Sequence, residues 1–337
     1  MSTLLSGLKR HARATPESTL TTKPPLDIAA IVTVTDDGGS SGRLRRDFDI
    51  LPPGDIRNCM TALSEDAALL SQLFQYRFAS GRGLKGHSFG NLFLTAMHQI
   101  TGDFSQAVKL SSEILAIRGR IFPATSANVV LRATLNDGTT VRGESKISKS
   151  KRPISSISIE PGDCEPLPET LEAIAQADLI TLGPGSLYTS VIPNLLVRGV
   201  SKAIANAPAL KAYFGNLMWQ PGETINFTAS QHVQALNDHA GTKMIDCVVL
   251  NSAPIPEMLR KHYAQAHVKP VENDFDTLAK LGIKVVTADL IGERTVSEKV
   301  RHDPAALAEI VMDLAARSRA LQLRKQALSA KKNLNER

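Results

Sequence analysis

Asp36-Asp37-Gly38-Gly39-Ser40-Ser41-Gly42-Arg43 places two carboxylates before a run of glycines and serines. Glycines let main-chain N–H groups approach a ligand closely, and the serines add hydroxyl donors. The paired carboxylates suit ribose or sugar hydroxyls, or a divalent cation. Gly183-Pro184-Gly185-Ser186-Leu187-Tyr188-Thr189-Ser190 is a glycine-rich turn leading into a helix start, the form of a phosphate cradle. Gly86-His87-Ser88-Phe89-Gly90-Asn91 also enters a helix, whose N-terminus attracts anions. His87 has no acid or nucleophile beside it in sequence. None of these is a GxGxxG or Walker pattern, which disfavours NAD and P-loop ATP. Gln220-Pro221-Gly222-Glu223-Thr224 and Arg301-His302-Asp303 read, taken alone, as turn and cap chemistry. Cys59, Cys164 and Cys247 form no CxxC pair, so neither a zinc site nor a disulfide framework is indicated.

The elements that must hold these loops follow from apolar patterning. Residues 28–34 form a continuous apolar, β-branched run that suits a buried parallel strand ending at Asp36. Strands are expected at 178–182, 210–214, 244–250 and 284–290, with helices between them. Helices are expected at 2–12, 55–64, 66–78, 90–100 and 103–116, and a loop at 13–25. Residues 35–42 are expected to be loop throughout. Val129–Leu135 and Thr139–Glu144 flank Asn136-Asp137-Gly138, a hairpin signal, and 154–159 alternates as a further strand. Asp303 and Pro304 open the last helix as N-cap and first residue. The expected fold class is α/β: a three-layer α/β/α arrangement with a mostly parallel sheet and a small antiparallel insert at about 125–160. Ligands of such sheets sit at the carboxyl ends of the strands. The loops at 36–43 and 183–190 should therefore meet at one pocket.

Composition excludes several classes. The chain is 42% hydrophobic and 21% charged, within the globular range. Its net charge of +6 equals the excess of seven cations over one acid between Arg317 and Arg337. Residues 1–316 are thus neutral overall, and no nucleic-acid surface is expected of them. One domain is expected over 1–316, with a basic helical extension or tail over 317–337. No apolar run reaches the roughly 18 residues of a membrane span, and the N-terminus lacks a signal-peptide core. The expected location is cytoplasmic.

Asp36–Leu44 followed by Leu51-Pro52-Pro53-Gly54-Asp55-Ile56-Arg57 resembles the signature of the gluconeogenesis-factor family, of the CofD-like superfamily. So do Gly86–Leu92, Gly183–Ser190 and Gln220–Thr224, in the family's order, across about residues 1–320. The resemblance implies a Rossmann-like fold and binding of UDP-N-acetylglucosamine or a similar nucleotide sugar. It also implies a regulatory role, through protein partners, in cell-wall precursor supply and cell shape during gluconeogenic growth. It brings no settled catalytic activity, no cofactor and no metal, and leaves homo-oligomerisation open. The implied ligand-binding set is Asp36, Asp37, Gly38, Gly39, Ser40, Asn91, Gly183, Gly185, Ser186, Tyr188, Tyr263 and Arg301. Of these, Tyr263 can stack on uracil and Arg301 can bind a diphosphate. The alternative is a CofD-like transferase moving a phospho-acyl group onto a deazaflavin, with a metal on Asp36 or Asp37. A nicotinamide oxidoreductase lacks its glycine fingerprint. In the family's register, Met1 falls on the Leu of a Gly-Gly-Gly-Thr-Gly-Leu-Ser loop. The first family strand and its loop are then absent from the sheet centre. The expectation is that Met1 is not the natural start, or that ligand binding is crippled.

Overall fold

The computed structural model describes residues 1–12, 26–65, 68–150, 152–292 and 299–335. The loop expected at 13–25, and the first two residues of the helix expected at 66–78, lie outside the described residues. The strands are β1 (Ala29–Val32), β2 (Arg120–Pro123), β3 (Val130–Leu135), β4 (Thr140–Arg142), β5 (Ile154–Glu160), β6 (Leu179–Leu182), β7 (Leu210–Phe214), β8 (Cys247–Asn251) and β9 (Lys284–Ala288). The first helices are α1 (Ser2–Leu8), α2 (Gly39–Phe48), α3 (Gly54–Leu63), α4 (Ala68–Gln75), α5 (Phe89–Thr101), α6 (Phe104–Ile114) and α7 (Glu144–Ile147). Those that follow are α8 (Pro168–Gln176), α9 (Ile192–Leu196), α10 (Val200–Asn206), α11 (Ala229–Ala240), α12 (Glu257–Gln265), α13 (Phe275–Lys280) and α14 (Pro304–Asn335).

The fold is α/β, with parallel sheets and one small antiparallel sheet. β6-β7-β8-β9 run parallel in chain order, each joined to the next through helices, as parallel pairing requires. β8 is buried along Cys247–Leu250, the near-continuous apolar run of a strand covered on both faces. The insert is the three-stranded antiparallel sheet β4-β3-β5, with its tight turn at Asn136–Gly138. Two features depart from the sequence reading. Among the described residues the parallel strands do not form one sheet: β1 pairs with β2, and that pair is separate from β6–β9. β2 itself was not anticipated, because a four-residue segment ending in Pro123 carries almost no strand signal.

Helix α14 crosses residue 317 without a break. Asp303 caps it, its carboxylate accepting from Ala305 N and Ala306 N at 2.6 and 3.0 Å. Ser318 is buried, and its hydroxyl accepts from Leu210 N at 3.1 Å, tying the helix to the start of β7. Among the described residues no helix is long and apolar enough to cross a membrane.

Helix α1 lies directly on the start of α14, because Gly7 lacks a side chain: a Cβ there would overlap the Pro304 carbonyl. Gly7→Ala is therefore expected to destabilise the protein by about 2 kcal/mol through overpacking. Thermal unfolding at matched pH checks this, and an unchanged Tm would show that the two helices can part at no cost.

Candidate functional site

Beyond β1 the chain runs through buried Thr33, Val34 and Thr35 to Asp36. The Asp36 carboxylate accepts from Gly38 N at 2.8 Å, closing an Asx turn. Helix α2 then begins at Gly39, so the expectation of loop through residue 42 is corrected. Gly-Ser-Ser-Gly is poor helix-forming sequence, but Ser40, Ser41 and Gly42 are buried and packing overrides propensity. Gly38 is the N-cap, and no side chain caps the helix. Gly39 has φ +45°, and a Cβ there would meet nothing within 4 Å. The open N-terminus of α2 thus leaves first-turn N–H groups available to an anion.

Asp37 has a structural task. Its carboxylate accepts from Ser145 N at 2.8 Å and anchors α7 across the loop. The Ser40 hydroxyl lies 3.0 Å from His87 Nδ1, both residues being buried. Asn91 donates from Nδ2 towards Ser41 Oγ at 3.4 Å, while its buried Oδ1 has no partner among the described residues. A Cβ on Gly54 would crowd both Ser41 Oγ and Asp36 Oδ2, so the start of α3 packs against these two side chains. The second loop serves itself as a cap: Ser88 Oγ accepts from Asn91 N at 3.2 Å and from Arg57 Nη1 at 2.6 Å.

The third loop, expected as a phosphate cradle at a helix start, has two of its amides occupied from within the protein. The Glu223 carboxyl, itself buried, accepts from Tyr188 N at 3.0 Å, Thr189 N at 3.3 Å and Thr189 Oγ1 at 2.9 Å. The turn that follows, Leu187–Val191, is π-helical. Ser186 Oγ accepts from Gln220 Nε2 at 3.0 Å. Tyr188 is buried edge-on to Phe227 and His239 and lines a separate cavity of about 450 Å³ with Asp238.

Acids from separate segments act on one another around the first loop. Burial first, then Asp36, raises the Asp55 carboxyl above its ordinary range. Glu144 is pushed up to about 8 by burial and then by Asp36, Asp55, Asp37 and Glu223. Glu223 is also raised by burial, against the lowering effect of its three donors. Both Asp55 and Glu223 stood inside quoted motifs; Glu144 stood at the end of the hairpin and carried no signal. Among the described residues no three His, Cys, Asp or Glu are grouped to hold a metal.

Tyr263 and Arg301 lie elsewhere along the carboxyl edge. The Tyr263 hydroxyl accepts from Val300 N at 3.1 Å, and Arg301 is exposed. Their neighbour His302 sits at the end of β7, Nε2 3.2 Å from Gly215 O. Burial holds that imidazole neutral, down to about 4.

Glu144 gives a pH-dependent prediction. Its unfolded form ionises near 4.5 and its folded form near 8. The folded state holds the extra proton, so stability falls as pH rises through that window. Glu144→Gln removes this loss. Because the residue is half-buried, water trims the effect. Tm is expected to rise by about 2–4 °C at pH 8.5 and to be unchanged at pH 4. An equal shift at both pH values would contradict the acid cluster as its cause.

The chain matches the family model described as 2-phospho-L-lactate transferase CofD over residues 1–291. It is 45% identical to the gluconeogenesis factor of Bacillus subtilis over 314 residues, covering 93% of this chain and 94% of that one. It is 44% identical to the gluconeogenesis factor of Halalkalibacterium halodurans over 313 residues, covering 93% and 92%. A crystal structure of a Bacillus halodurans protein superposes with a TM-score of 0.86 at 44% identity, covering 92% of this chain and 95% of that one. A second, described as a member of the UPF0052 family from the same organism, gives 0.85. With the family model spanning most of the chain and these relatives matched nearly end to end, the chain belongs to the gluconeogenesis-factor family, within the CofD family.

Proposed function

We propose that this protein is a cytoplasmic nucleotide-sugar sensor that binds UDP-N-acetylglucosamine and signals through protein partners. In this reading it regulates cell-wall precursor supply and cell shape during gluconeogenic growth. The observation that carries it is the uncapped N-terminus of α2 at the end of a parallel strand. Of the three loop-to-helix junctions, it is the one where neither a serine cap nor a buried glutamate already takes the amides. A diphosphate fits there, on the positive end of the helix. Asp36 and Asn91 Oδ1, which has no partner among the described residues, accept from sugar or ribose hydroxyls. Gly183, Gly185 and Ser186 form the facing wall, and Tyr263 and Arg301 reach in from the far end of the edge. Asp37 supports the site by holding α7.

The second reading is a transferase acting on a deazaflavin. It is favoured by the description of the matching family model and by the carboxylates around Asp36. Calorimetry with UDP-N-acetylglucosamine, GDP, NAD and a deazaflavin separates the two. The sensor binds the first without consuming it. Sustained, metal-dependent consumption of a nucleotide donor would overturn the sensor reading and establish the transferase.

A further inference from the structure

Helix α14 leaves the body of the protein near Gln322. Before that point buried Val311, Leu314 and Ser318 hold it down. Gln322 continues the stripe, half-buried, its Nε2 donating towards Ser318 Oγ at 3.4 Å. Residues 323–328 are all exposed, and the helix runs on to Asn335, about 20 Å beyond Gln322. Packing on the body does not hold this part helical. Its composition does: residues 319–328 are all Ala, Leu, Gln, Arg or Lys, strong helix formers. Cations near a helix C-terminus add to this.

The leucines there serve no core. Leu321, Leu323 and Leu328 are 55%, 58% and 64% exposed. At about 100° per residue, these three and Arg324 share one half of the helix. That half is turned away from the stripe of Val311, Ser318 and Gln322, and Gln326 lies opposite it. From Arg317 to Asn335 the sequence has six cations and no acid. Of these, Arg317 pairs with Asp313 at 2.8 Å.

Charge decides what covers the leucines. A second copy would need an apolar seam. Leu314, Leu321 and Leu328 recur every seven residues, but three residues after each come Arg317, Arg324 and Lys331. Four residues after each come Ser318, Lys325 and Lys332. Either seam brings cations against cations. A nucleic acid would take the cations and leave the leucines in water, and no aromatic residue lies between 317 and 335 to stack on a base. A protein groove would bury Arg324 among the leucines. At a lipid surface the long Arg324 side chain reaches the headgroups while its stem and the leucines stay in the apolar layer.

We propose that the outer part of α14 is a membrane-docking helix that lies along an anionic lipid surface. Leu321, Leu323 and Leu328 enter the acyl boundary, and Arg324 and Lys325 meet lipid phosphates. The neutral body, residues 1–316, is thereby held at the surface with no membrane span.

The test is flotation of the whole protein with vesicles of phosphatidylglycerol mixed equally with phosphatidylcholine, and with phosphatidylcholine alone. Binding to the anionic vesicles is expected to be at least about tenfold stronger, and to weaken as salt is added. Leu321→Gln with Leu328→Gln keeps every charge and should weaken it at least about tenfold. Arg324→Gln with Lys325→Gln keeps every leucine and should also weaken it at least about tenfold. All four positions are exposed, so Tm should not change. As a readout independent of these variants, the emission of Leu323→Trp should shift to the blue on anionic vesicles, beyond any shift of the parent. Absence of binding to anionic vesicles, or of that blue shift, overturns the proposal. Full binding by the leucine variant reduces the contact to charge alone and also overturns it. A single-stranded RNA oligonucleotide bound more tightly than the vesicles, and equally by the leucine variant, assigns the helix to nucleic acid instead. A dimer that the leucine variant abolishes assigns the leucines to a second copy and likewise overturns the lipid surface.

Discussion

Replacing Glu223 with alanine is expected to lower stability by about 3–5 kcal/mol and Tm by about 10 °C. The Glu223 carboxylate is the acceptor for three buried donors, two of them main-chain. Burial raises the Glu223 carboxyl above its ordinary range, against the lowering effect of those donors. Removing the carboxylate strands all three donors away from water, and each unpaired one costs about 1–3 kcal/mol. Glu223→Gln keeps the volume and one acceptor oxygen and should lose roughly half as much. The freed cradle should also acquire an anion. Sulfate is expected to raise the Tm of Glu223→Ala towards that of the parent and to leave the parent unaffected. Scanning calorimetry with and without sulfate reads both effects. A Tm unchanged by the alanine would mean that water reaches the Tyr188 and Thr189 amides, and that they do not depend on Glu223 as acceptor.

That carboxylate also shows where the sequence runs out of signal. The strands after which the loops sit were legible, because continuous apolar runs such as 28–34 and 210–214 carry a buried parallel strand on their face. The loops themselves were legible as glycine-rich segments at strand ends. What each loop binds in the resting protein was not. Glu223 reaches Tyr188 across 35 residues and Ser145 reaches Asp37 across 108, and neither pairing has a local pattern. Helix α2 was hidden for a different reason. Its Gly-Ser-Ser-Gly start has low helix propensity and is held by burial, a tertiary effect that a window of sequence does not contain. β2 was hidden because the strand it pairs with, β1, lies some ninety residues earlier. The division of the parallel strands into two sheets has the same origin, since strand order is set by which edges meet. The acid cluster combines both failures: Asp36, Asp55, Glu144 and Glu223 come from four separate segments, and burial followed by these neighbouring acids raises Glu144.

Gly39→Asp is expected to weaken UDP-N-acetylglucosamine binding at least about 100-fold, about 2.7 kcal/mol, while the protein stays folded. The first turn of α2 carries unpaired amides and the positive end of the helix dipole, equivalent to about half a charge. In the proposed site a diphosphate sits on that turn. An aspartate at 39 projects a carboxylate into the same space and repels the phosphates. It also competes for the amides, as Glu223 already does at Tyr188 and Thr189. The fold can accept the residue. Gly39 has φ +45°, a region that Asp and Asn tolerate better than other side chains. A Cβ there meets nothing within 4 Å, so the stability cost should stay near 1 kcal/mol. Gly39→Asn has nearly the same shape without the charge and separates the two causes. If electrostatics dominate, it should retain most of the affinity that the aspartate loses. Equal losses in both variants would show that the ligand needs the space above Gly39 and not the charge of the helix end. Unchanged affinity in Gly39→Asp, measured by calorimetry on protein of unaltered circular dichroism, would remove the diphosphate from α2 altogether.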